Sequence, residues 1–166
     1  MPLDNLLGEL VDAAFQSLSD KFKKDGSNHD SVKLIIDDAK GDTFTFLLHH
    51  GGDNYHWERK NWYKQNDIST MFKPFNSLQK IFPTTIEQQG VTELEEAKEI
   101  FSLAKSLLKL NINEETDSTA IEETGYCLQI KLDGISKSFK WKIIPHGWDS
   151  VEVISNKIIQ LNNLMY

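Results

Sequence analysis

Three histidines crowd one short stretch: His49, His50 and His56, with Asp53, Asn54 and Glu58 around the same turn. Imidazole nitrogens bind zinc, nickel or copper, and a carboxylate can complete such a set. A metal-dependent hydrolase using the His49/His50/His56 region, with Asp53 as the acid, is therefore the enzymatic reading. Alternation along a strand works against it. Adjacent side chains point to opposite faces, so His49 and His50 do not share an ion, and His56 can join only one of them. The expectation is no metal and no cofactor. Cys127 is the only cysteine, which excludes an intrachain disulfide and a cysteine-built zinc centre. It lies inside an alternating segment, with no helix N-terminus or histidine beside it in sequence to activate the thiol, and reads as a half-buried structural residue. No strained serine elbow and no glycine-rich phosphate loop is present. No catalytic residue is expected, and the chain does not read as an enzyme.

The aromatic residues carry a different message. Tyr55, Trp57, Trp62 and Tyr63 are interleaved with Arg59, Lys60 and Lys64. Large amphipathic rings beside a guanidinium are the usual material of protein-binding hot spots. The same mixture can stack single-stranded nucleic acid. Arg59 is the only arginine in the chain, so bidentate phosphate recognition has a single donor, which weighs against nucleic acid. Trp57, Arg59 and Trp62 are the expected packed anchor for a protein partner. The competing reading is that the two tryptophans fill the edge of the core.

Charge is distributed unevenly. The formal net charge of the 166 residues is -7. Between Thr84 and Gly125 ten acids face three lysines, so this segment alone accounts for the whole excess. Glu114, Glu115, Asp117, Glu122 and Glu123 form its densest part. A local anionic field repels nucleic acid and membranes and attracts basic proteins. The plainer reading is a solvated helix face followed by an acidic loop.

These residues must be positioned by elements that the hydrophobic period lays out. Leu6, Leu7, Leu10, Val11, Ala14, Phe15, Leu18 and Phe22 share one helical face, with Asp4 as cap and Gly26 as stop. Val32, Leu34 and Ile36 alternate, then Phe44, Phe46 and Leu48, then Tyr55 to Arg59, giving a three-strand meander. Helical spacing returns from Ile68 to Phe82, with Pro74 near the start of its regular part and Pro83 at its end. Thr92-Glu93-Leu94-Glu95 reads as a capping box opening a helix with Leu94, Ala97, Ile100, Phe101, Ala104, Leu107 and Leu108 inward. Tyr126, Leu128, Ile130 and Leu132 alternate up to Asp133-Gly134, a hairpin turn, and Phe139, Trp141 and Ile143 return. A second capping box, Asp149 to Glu152, opens a helix carrying Val151, Ile154, Ile158 and Leu161. Residues 1–166 thus read as one α+β domain: an antiparallel sheet of about five strands, with helices packed mainly on one face.

The element order resembles the fold of small secretion chaperones, with Leu6 to Phe22, Val32 to Arg59, Ser69 to Ile81, Tyr126 to Ile143 and Asp149 to Leu164 as its carriers. The Thr92 to Leu110 helix and the acidic loop are additions to that plan. In size, acidity and lack of catalytic residues the chain is also similar to the immunity proteins of bacterial toxin systems, each of which binds and blocks one cognate toxin. No apolar run approaches the roughly 18 to 20 residues of a membrane span, and Met1-Pro2-Leu3-Asp4 does not open like a signal peptide. The resulting expectation is a cytoplasmic, protein-binding domain that meets a basic partner, without membrane or nucleic acid. The acids at 114, 115, 117, 122 and 123 would steer, and Trp57, Arg59 and Trp62 would anchor. A chaperone for an exported protein is the alternative within the binding class.

Overall fold

The computed structural model describes residues 3–19, 29–71, 82–112 and 124–165. Helix α1 spans Leu3–Ser19 and buries Leu10, Ala14 and Leu18, three positions of the expected stripe. Phe22 and Gly26 lie outside the described residues. Strands β1 (Ser31–Asp37), β2 (Thr43–Gly51) and β3 (Asn54–Trp62) form the meander. A short helix α2 follows at Lys64–Met71, earlier than the helix expected from Pro74, most of which lies outside the described residues. Then come β4 (Thr85–Thr92), α3 (Glu95–Leu108), the hairpin β5 (Gly125–Leu132) and β6 (Ile135–Trp141), and α4 (Asp149–Leu164).

All six strands form one open antiparallel sheet in the order β4-β3-β2-β1-β5-β6. The fold class is α+β, with one strand more than the sequence suggests. That strand is β4. Its sequence, Thr85-Ile-Glu-Gln-Gln-Gly-Val-Thr92, places its two apolar residues five positions apart, hence on opposite faces, so it has no alternating signal to read.

Register explains the core. Val32, Leu34, Phe46, Leu48, Leu128, Ile130 and Phe139 fall on one face of the sheet and are essentially fully buried. Ala97, Ile100, Ala104 and Leu107 of α3 and Val151, Ile154, Ile158 and Leu161 of α4 close over them. Each such large side chain contributes about 1.5–3 kcal/mol through burial, so this face dominates stability. The opposite face is treated differently. There α1 lies against β3, where Leu10, Ala14 and Leu18 enclose Trp62, and β1, β5 and β6 extend beyond it.

The hairpin turn forms as expected, with positive φ at Asp133 (52°) and Gly134 (78°), the pair of left-handed residues that a two-residue turn of this type requires. Neither capping box forms. Helix α3 begins at Glu95 after Leu94, which makes no side-chain cap; Thr92 Oγ1 instead accepts from Leu94 N at 3.1 Å, and Glu95 bonds Lys98. Helix α4 starts after Trp148, again without a side-chain cap. At the first of these the Thr92 hydroxyl found a nearer donor than the helix amide three residues on.

Candidate functional site: an open sheet edge

A sheet edge exposes a row of backbone N–H and C=O groups, and proteins normally blunt it with lysine, proline, bulges or a covering element. The two edges here differ in this respect. Strand β6 carries Lys137 and Lys140. Strand β4 carries neither lysine nor proline, and five of its eight residues are exposed. Of the nine large hydrophobic side chains exposed among the described residues, four flank or belong to β4: Phe82 (74%), Ile86 (50%), Val91 (55%) and Leu94 (39%). Ile86 and Val91 project from opposite faces, so an added strand would find an apolar group above and another below.

The position of β4 is set by what holds its start. Asp67 of α2, only 3% exposed, accepts from Trp62 Nε1 (2.8 Å), Thr84 N (2.6 Å) and Thr84 Oγ1 (2.7 Å). Tyr63 N also donates to Thr84 O at 3.0 Å. Farther along, Gly90 passes under the Trp57 ring: a Cβ there would lie 2.8 Å from two indole carbons. Glycine is required at this point for close approach rather than for an unusual backbone.

The structure separates the three expected anchor residues. Trp57 and Arg59 sit two apart on the same face of β3. Trp57 is half-buried and stacks on Phe46, with centroids 6.4 Å apart and planes 7° from parallel. The Arg59 guanidinium lies 5.9 Å from the centre of the Phe44 ring, within reach of a cation–π contact, and Gln88 of β4 stands opposite Arg59. Trp62 projects to the other face and is 0% exposed beneath α1. It is a core residue bonded to Asp67 and not the surface anchor that the sequence suggests: β3 alternates, which puts even and odd positions on different sides.

The five steering acids, Glu114, Glu115, Asp117, Glu122 and Glu123, lie outside the described residues. Of the acids in the same segment that are described, Glu93, Glu95, Glu96 and Glu99 follow directly from the end of β4 and are exposed. Lysines neutralise two of them. Lys98 Nζ meets Glu95 at 2.6 Å, a hydrogen bond that holds the Lys98 pKa above its ordinary value, and Lys157 meets Glu99 at 2.8 Å. Glu93 and Glu96 make no ion pair among the described residues, leaving a small anionic corner at the end of the open edge.

The histidines divide as alternation requires. His49 and His56 are opposite each other in register and stack at 5.1 Å, with His29 stacked 6.2 Å from His49. His50 turns to the other face against Tyr55 (4.8 Å) and Phe101 (6.1 Å). Among the described residues no three histidine, cysteine, aspartate or glutamate side chains gather closely enough to hold a metal ion. No helix among them is long and apolar enough to cross a membrane. Comparison with known protein families, curated proteins and solved structures finds no match to this chain.

Proposed function

We propose that this chain is a protein-binding domain that sequesters one partner, a basic toxin, in the manner of an immunity protein, and that the partner adds a strand to β4. The observation that carries the reading is the β4 edge, which has neither lysine nor proline, bears exposed Ile86 and Val91 and ends at the anionic corner of Glu93 and Glu96. Main-chain hydrogen bonds along an added strand supply affinity, and the apolar residues on either side supply selectivity. Trp57 and Arg59, one strand in, border the same edge. The acids at 114, 115, 117, 122 and 123 fit the reading as long-range attraction, which speeds encounter with a cationic protein.

The test pairs the chain with the product of the adjacent reading frame in its native host and measures binding and loss of that product's toxicity. Lysine at positions 86 and 91 (I86K with V91K) blunts the edge and should abolish both effects while the fold is kept. Neutralising the five acids should slow association and flatten its salt dependence without changing the bound geometry. Full protection by the lysine variant would overturn the strand-addition reading. A symmetric dimer formed through β4 would instead favour the secretion-chaperone alternative.

A further inference from the structure

The side-chain row along β4 has a gap in it. Gly90 stands opposite Trp57 in register, and the indole lies across it: a Cβ at Gly90 would sit 2.8 Å from Cε2 and Cζ2 of the ring and 2.9 Å from Nε1. Inward, the same ring stacks on Phe46 of β2, so it spans from the core to the rim of the sheet. An aromatic ring over a strand glycine shields its backbone from the inner side. The outer side differs, because β4 is the last strand and no described strand pairs with it there. Trp57 is the one half-buried tryptophan; Trp62, Trp141 and Trp148 are at most 7% exposed. Ile86, Gln88 and Gly90 lie on the Trp57 side of β4, and Glu87, Gln89 and Val91 on the α1 side. Gly90 is thus a notch floored by an indole, on the same side of the strand as exposed Ile86.

We propose that this notch is the specificity pocket of the β4 edge and takes a branched apolar side chain, leucine or isoleucine, from an antiparallel strand of the basic partner. The inference rests on the strand-addition reading and adds the sequence that such a strand must carry. Every pairing in the sheet is antiparallel, and residues directly opposite each other share a face. The partner residue facing Gly90 therefore points at the indole with no side chain between them. Paired strands lie about 4.8 Å apart, so an alanine methyl falls short of the ring, whereas leucine or isoleucine reaches it and sheds its water. A charged side chain there would lose its water against the ring and gain no partner. The residue before the notch residue faces Val91, the third after it faces Glu87, and the fourth faces Ile86. Apolar side chains suit the first and last of these. An acid facing Glu87 would set like charges directly opposite, so that position excludes acids, in keeping with a cationic partner.

The test uses the full chain and a β-hairpin peptide whose free strand reads Val-Leu-Thr-Thr-Lys-Val, with the leucine facing the notch. Two further peptides carry alanine in place of that leucine, or the leucine moved two places on to face Gln88. Binding is followed by calorimetry and by acrylamide quenching of tryptophan fluorescence, which reaches Trp57 far more readily than the three buried indoles. The first peptide should bind about tenfold more tightly than the other two, the effect of partly burying one such side chain, and it alone should shield Trp57 from the quencher. Trp57→Leu, which withdraws the indole from the rim, should bring the leucine and alanine peptides within about twofold of each other. If that variant does not fold, the peptide comparison on the native chain decides. Equal binding of the three peptides, all of it lost in I86K with V91K, would overturn the notch and leave strand addition standing. Binding of none of them, or pairing of β4 with a second copy of the chain instead, would overturn both.

Discussion

Replacing Asp67 by alanine should loosen β4 well before it unfolds the rest of the molecule. The carboxylate accepts three hydrogen bonds from a site where it is 3% exposed and its partner Trp62 is 0% exposed. Its loss leaves the indole N–H buried without an acceptor, a penalty of about 1–3 kcal/mol. The two Thr84 donors are near the surface and can turn to water, so they add less, about 1 kcal/mol together. The total expected destabilisation is about 3 kcal/mol. Asp67→Asn keeps one carbonyl oxygen for the indole and should cost about 1 kcal/mol. Urea unfolding measures the global term. Amide exchange measures the local one: in Asp67→Ala the β4 amides, whose strand start keeps the pairing with β3 and the bond from Tyr63 N to Thr84 O but loses the carboxylate, should exchange faster than those of β1 and β2. Equal stability of the alanine and asparagine variants would show that the indole bond is worth nothing. Unchanged β4 exchange would refute the idea that Asp67 anchors the edge.

Two further outcomes follow from contacts elsewhere. Gly90→Ala should cost about 1–3 kcal/mol, because its methyl meets the Trp57 ring at 2.8 Å; in a Trp57→Leu background the same change should be nearly neutral, and additive effects in the unfolding cycle would contradict the contact. Lys33, 7% exposed, has its pKa lowered from 10.5 to about 8 by burial, with Cys127 opposing the shift and Lys60 adding to it. Between those values the unfolded chain binds more protons than the folded one, so wild-type stability should rise as pH climbs from 8 to 10.5, by up to about 3 kcal/mol. Lys33→Met should be more stable than wild type below pH 8 and lose that advantage across the same window; parallel pH curves would refute the assignment.

Much of the fold was legible because burial imposes a period. Val32 and Leu34, Phe46 and Leu48, Leu128 and Ile130 alternate in the sequence and are buried on one face. Ala97, Ile100, Ala104 and Leu107 keep helical spacing and are buried likewise. Strand β4 was invisible because an edge strand exposed on both faces has no burial to record. The same blindness hid the site, since Ile86 and Val91 matter through their position at an edge that only the sheet order reveals. The aromatic cluster was half legible: Trp57 and Arg59 share a face, whereas Trp62 went under α1 because alternation sends it there and its N–H finds Asp67. Buried polar residues such as Lys60, whose ammonium reaches Ser17 O at 2.6 Å from 43 residues away, leave no local trace in a sequence.

The strand order also bears on how the chain is made. While the polypeptide leaves the ribosome, β1 to β4 can assemble as a four-strand ribbon, but the partner that completes β1 has not yet been synthesised. Lys131, which pairs with Ser31, lies one hundred residues downstream. Until β5 emerges, the nascent ribbon presents a second bare border along β1, lined by Val32 and Leu34, and such borders are where newly made proteins aggregate. Slower translation between β4 and β5 lengthens that exposure and should lower the yield of soluble protein.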